Sequence, residues 1–274
     1  MTATIPGTVR NMKGTGNVWW FFLLAIGFTW LFQLPLVLDS RGAVHFPTSL
    51  SRVALHISPL GPFFAAFLLT YLSDGRDGVT RLLKRGWNTG FGRIWWIPTL
   101  LLLPAMEGLA VSLATLLGGE PFPQLVFLAR PESYATSFLG LLYLATFEEY
   151  GWRGYALDRL QRRWNALTSS LILAAFWGPW HLPQWFMGEA LRSDVPFFGF
   201  WYGILMETIL LTWLYNNTKA SLLPVILFHA LMNAQVFPTW DNPMSAWIFV
   251  LVWTLATVAA VVVWGPRELR RRTE

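Results

Sequence analysis

Cysteine is absent from the 274 residues, and charge is scarce. Without Cys there can be no disulfide, no thiolate nucleophile and no thiolate-bound metal. Charged residues make up 13% of the chain, where an ordinary soluble domain carries roughly a quarter. Several signatures of known hydrolases are missing as well. The chain has no HExxH zinc pair and no GxSxG elbow, and no Asp falls inside an apolar block where an aspartyl dyad would need it. Nor is there a basic, aromatic-interleaved stretch long enough for a nucleic-acid groove, so the net charge of +5 does not imply nucleic acid as a partner. Internal repeats and low-complexity tracts are lacking. No cleavable leader is expected either, because the first apolar block is too long for a signal-peptide core.

What the chain has in quantity is apolar sequence, 54% of it, arranged in long blocks, with 17 Trp and 17 Pro. Trp anchors membrane interfaces, and Pro is better tolerated in membrane helices than in soluble ones. Crossing the hydrocarbon takes about 20 residues. Eight spans are expected: 18–38, 53–72, 94–117, 133–147 continuing into a polar helix, 167–186, 197–215, 222–237 and 246–264. The fourth is the least apolar, because Glu148, Glu149 and Arg153 interrupt it. Eight spans put both termini on one side. Of the 20 Lys and Arg, only Arg41, Arg52, Arg130 and Arg192 then fall on the other side. By the positive-inside rule both termini are cytoplasmic. The fold class is therefore all-α: a polytopic membrane bundle of about eight helices forming one domain over 1–274. The stretch 78–87 reads either as a short amphipathic helix, with Val79, Leu82 and Leu83 toward lipid, or as a plain basic loop.

Ionisable groups at bilayer depth are costly and call for a reason. Four Glu (Glu107, Glu148, Glu149 and Glu207) and two His (His181 and His229) lie in or beside the spans. Glu149 and Arg153 are four apart in the favoured order for a helical ion pair. Glu148 lies about 100° around the helix and has no partner there, which leaves it free to act as a general acid or base. His181 sits between Pro179 and Pro183, and each Pro removes a backbone bond and can bend the helix. His229 and Asn233 share one helical face. Asn can donate to an oxyanion, and His can donate or accept. Glu107 and Glu207 have no such company and read as lumen-facing carboxylates, helix-to-helix hydrogen bonds or parts of a water path. Any one of these groups alone would suit a structural role. Two carboxylates, two His and an Asn on three helices suggest chemistry instead, with hydrolysis by a water that Glu and His activate.

Three patterns, Glu148-Glu149-x-x-x-Arg153, Trp177-x-x-x-His181 and His229-x-x-x-Asn233, fall in that order within 133–233. Together they resemble the CAAX protease and bacteriocin-processing family of intramembrane proteases, the type II CAAX prenyl endopeptidase-like proteins, whose pattern is EExxxR, FxxxH, HxxxN. This chain departs from it at Trp177, which stands in the Phe place. The resemblance implies an intramembrane endopeptidase with its catalytic core in about 133–237. Glu148 would activate a water and His181 would hold or polarise it. His229 and Asn233 would form the oxyanion hole, with Glu149 and Arg153 supporting. The motifs leave the cofactor open. Glu148, His181 and His229 could make a three-ligand zinc site, but a metal-free mechanism is favoured because Asn233 beside His229 suits an oxyanion role better than a ligand shell. The implied partners are membrane lipid and a peptide or protein substrate, prenylated in the family's eukaryotic members. The compact chain suits a bacterial plasma membrane. A non-catalytic scaffold or bacteriocin-immunity-type protein is the second reading, and a proton-coupled transporter is the third.

Overall fold

A computed structural model describes residues 17–118, 122–187 and 196–270. Arg10, Lys13, Arg192, Arg271 and Arg272, which entered the charge count, lie outside the described residues. The elements are helical throughout: α1 (Val18–Ser40), α2 (Thr48–Ile57), α3 (Gly61–Lys84), α4 (Trp96–Gly118), α5 (Val126–Ala129), α6 (Pro131–Gly151), α7 (Asp158–Leu160), α8 (Ala166–Trp180), α9 (Phe197–Asn217), α10 (Leu223–Ala234) and α11 (Pro243–Trp264). Among the described residues there is no strand. Five helical stretches are long and apolar enough to cross a membrane: Val18–Ser40, Thr48–Trp87, Arg93–Gly118, Phe197–Asn217 and Pro243–Trp264. The remaining expected spans are represented by α6, α8 and α10, which are more polar or shorter.

Local signals set the helix boundaries. Asn17, Asn165 and Asn242 each accept a backbone N–H of the first turn they precede, at 3.2, 2.8 and 2.8 Å. A positive φ of 62° at Gly75 breaks α3 into an apolar first part and a more polar, basic second part. The stretch 78–87 is therefore helical up to Lys84 and ends in a 3₁₀ turn. Leu82 on it is buried against Gly154 and Leu222 rather than facing lipid. The span expected over 167–186 ends early. Pro179 and Pro183 flank its end, and α8 stops at Trp180 and passes through His181 into a 3₁₀ turn, Leu182–Phe186.

The carboxylate helix continues past its apolar part, as expected. After α6 a wide π turn, Trp152–Leu157, is followed directly by α7. Glu149 therefore lies well inside a continuous helical rod and not at its end, roughly 16 Å before Leu160 at about 1.5 Å per residue. Such turns recur at functional sites. α6 packs between α3 and α10, and α10 also touches α4 and α9. At Gly151 any Cβ would collide with Pro62, 2.5 Å from its Cβ, so α3 and α6 meet there backbone to backbone. The outer helices expose large apolar side chains, including Leu31, Leu101, Trp247, Leu251 and Val262. That is the expected lipid-facing belt of a membrane bundle. On the basic side, Asp158 accepts from Arg85 at 2.7 Å and from the Tyr215 hydroxyl at 2.5 Å, tying α7 to α3 and α9.

Candidate active site

The site forms where α6, α8 and α10 converge. The Glu149 Oε1 atom accepts from Arg153 Nη1 at 2.6 Å and from His229 Nδ1 at 2.8 Å. Both Glu149 and Arg153 are fully buried. This links the α6 rod to α10. Glu148 has a partner that its own helix does not supply: Trp177 Nε1 of α8 donates to Glu148 Oε2 at 2.9 Å. Trp177 also carries His181. His181 Nδ1 donates to the Trp177 carbonyl at 2.9 Å, which places a proton on Nδ1. The His229 ring meets the Trp177 ring edge-on, with centroids 5.4 Å apart.

Trp180 holds the His181 end of α8 in place. Its indole N–H donates to Thr29 Oγ1 at 2.7 Å, and that hydroxyl donates to the Ser58 carbonyl at 2.7 Å. Its ring abuts His181 edge-on at 4.5 Å. Gly178 leaves space for Trp201, whose indole N–H donates to the Ala174 carbonyl at 2.9 Å. Asn233 sits one turn beyond His229. Its side chain is exposed, and it donates to the His229 carbonyl at 3.3 Å. The structure thus brings Glu148 and His181, bonded through Trp177, together with Glu149, Arg153 and His229, bonded to one another, and the two groups meet at the Trp177 ring, with Asn233 at the rim.

The two Glu read from sequence as lone groups are not alone. Glu107 Oε2 accepts the backbone N–H groups of Val236 and Phe237 at 2.8 and 3.1 Å, just past the end of α10. Gln235, with φ of 47°, turns those donors back toward α4. Glu207 of α9 lies within electrostatic range of His229, Arg153, Glu149 and Glu148, and among the described residues its Oε1 has no hydrogen-bond partner. Sequence reasoning also passed over Trp177 as a mere aromatic stand-in. The signal was there, since Trp carries a donor that Phe lacks. Among the described residues, no three His, Asp or Glu side chains converge closely enough to share a metal ion.

An all-helical membrane bundle that encloses carboxylates, imidazoles and a guanidinium defines a membrane-embedded protein with a buried acid–base centre. Comparisons with known proteins narrow the class. A family model described as Type II CAAX prenyl endopeptidase Rce1-like matches residues 130–235. A protein named CAAX prenyl protease 2 from Methanococcus maripaludis is 32% identical over 185 residues, covering 64% of this chain and 68% of that protein. The chain belongs to the type II CAAX prenyl endopeptidase family. It is a membrane-integral peptidase of the CAAX type, acting on a peptide or protein substrate in the membrane.

Proposed function

We propose that the protein is an endopeptidase that cleaves a peptide bond within the membrane, using a water activated by Glu148 and His181. One observation carries this reading. Glu148 is enclosed, with 7% of its surface exposed, and one of its oxygens is fixed by Trp177 inside a cluster of two imidazoles and a guanidinium. Glu148 takes a proton from the water as the water's oxygen bonds to the scissile carbonyl carbon. It returns that proton to the leaving amine when the C–N bond breaks. His181, its Nδ1 held by the Trp177 carbonyl, helps to hold or polarise the water. His229 and Asn233 donate to the oxyanion. For His229 this takes a proton on Nε2 as well, and the Glu149 carboxylate on Nδ1 stabilises that doubly protonated ring. Arg153 neutralises Glu149 and holds it.

The reaction needs no metal in this reading. Glu148, His181 and His229 remain the candidate zinc ligands, but their mutual placement does not make a three-ligand cage. The core lies in about 133–237, in a bundle crossing eight times with both termini cytoplasmic. The cut falls on the basic half of the bundle, because Glu148 is nearer the α7 end of its rod than the Pro131 end. The substrate is a membrane-anchored chain with a prenylated C-terminal motif, a reading supported by the likeness to a protein named CAAX prenyl protease 2.

The test is cleavage of quenched peptides in liposomes, prenylated and unprenylated, with and without phenanthroline. Glu148→Gln should lower kcat by about 10²- to 10⁴-fold, and the chelator should leave wild-type cleavage unchanged. Full activity in the Gln variant would remove Glu148 as the base. Loss with the chelator would make a metal part of the site. A folded wild-type protein that cleaves nothing in a broad panel would favour a binding scaffold.

A further inference from the structure

We infer that Trp177 is a positioning residue for Glu148 and that its indole ring couples the Arg153 cation to that carboxylate. The inference rests on the reading of Glu148 as the base and deepens it.

Trp177 is completely buried and touches four members of the cluster. Its N–H donates to Glu148 Oε2 at 2.9 Å. Its carbonyl accepts from His181 Nδ1 at 2.9 Å. His229 meets its ring at 5.4 Å between centroids. The Arg153 guanidinium carbon lies 4.2 Å from the ring centroid, over its face. The family pattern has Phe at this position. Phe fills the space and offers a π face, but it has no N–H, so this chain has a donor on its base that the pattern lacks.

That donor has a definite effect. The terminal torsion of a Glu side chain is soft and leaves its two oxygens interchangeable. An N–H on Oε2 removes that freedom and leaves Oε1 to face the water. The cation adds to it. A guanidinium over an indole is held by the ring's negative face and draws electron density from it, which makes the N–H a stronger donor. Among the described residues Arg153 Nε and Nη2 have no hydrogen-bond partner, as expected of a guanidinium held over a ring. One cation therefore serves both carboxylates: it bonds Glu149 directly and acts on Glu148 through the indole.

The variants are Trp177→Phe, Trp177→Leu and site-specific replacement of Trp177 by benzothienylalanine, which keeps the ring shape and puts sulfur in place of N–H. Each is measured for kcat, KM and thermal stability on the prenylated quenched peptide in liposomes, with Glu148→Gln as control. The benzothienyl variant should lose about 10- to 100-fold in kcat, the range for a hydrogen bond to a charged group, with KM within about 2-fold and stability unchanged. Trp177→Phe should match it, and Trp177→Leu should fall further. Wild-type kcat in the benzothienyl variant would reduce Trp177 to packing, even if Trp177→Phe fails to fold. A second readout needs no turnover. The indole N–H marker band in ultraviolet resonance Raman should shift for one Trp between wild type and Glu148→Leu, and an unshifted band overturns the coupling. An active Glu148→Gln with a shifted band would sink the base assignment and leave the coupling standing.

Discussion

Two buried carboxylate sites in this bundle are built in opposite ways. Glu107 gives one oxygen to two backbone N–H groups, at 2.8 and 3.1 Å. Glu148 and Glu149 are held by side chains alone: Trp177, Arg153 and His229. Burial does not separate them, at 2% exposed for Glu107 against 7% and 0% for the pair. The donors do. Backbone N–H groups neither titrate nor swing, so a carboxylate filled by them is a joint between segments. Imidazole can gain or lose a proton, so a carboxylate facing it belongs to a centre that can do chemistry. A buried acid in a membrane helix is read from its partners and not from its depth.

Mutations can break this contrast. The largest effect expected on activity is that of Glu148→Gln, described above, with folding intact. Arg153→Met should act first on folding. It leaves Glu149 buried without its cation, a loss of about 3–5 kcal/mol in denaturant unfolding from detergent. Glu107→Ala should cost about 1–3 kcal/mol by stranding two N–H groups. Glu107→Gln should restore both stability and kcat, because an amide oxygen accepts the same two bonds. If Glu107→Gln were as inactive as Glu148→Gln, the division into joint and centre would fail. The smallest effect is expected of Glu207→Gln. It removes a charge from a crowded cluster without leaving a donor stranded, so its melting temperature should not fall below wild type and its kcat should stay within about 10-fold.

The apolar blocks placed most of the long helices within a few residues, because hydropathy over 20 residues is a strong local signal, but the block 53–72 crosses the break between α2 and α3, and α8 stops at Trp180, short of the expected 186. The motif residues were legible for the same reason: four-residue spacing on a helix fixes a shared face. What escaped was long-range or conformational. Trp177 and Glu148 are 29 residues apart, and no spacing rule joins them. The Glu107 contact depends on a left-handed turn at Gln235, a residue type with no preference for it. Glu207 enters the cluster through the packing of α9 against α8, α10 and the π turn that carries Arg153. The π turn at 152–157 follows from no spacing rule either, since it differs from an α turn only by one residue.

That π turn makes the rod two indexed parts, like gears set one tooth apart. A π turn holds one residue more than the α turn it replaces, and each residue rotates an α-helix by about 100°. The extra residue lets Glu148 point at Trp177 while Asp158, further along, points at Arg85 and Tyr215. Deleting a single residue from 152–157 would bring the two parts back into phase. The chain could then satisfy the acid–base cluster or the Arg85 tie, but not both.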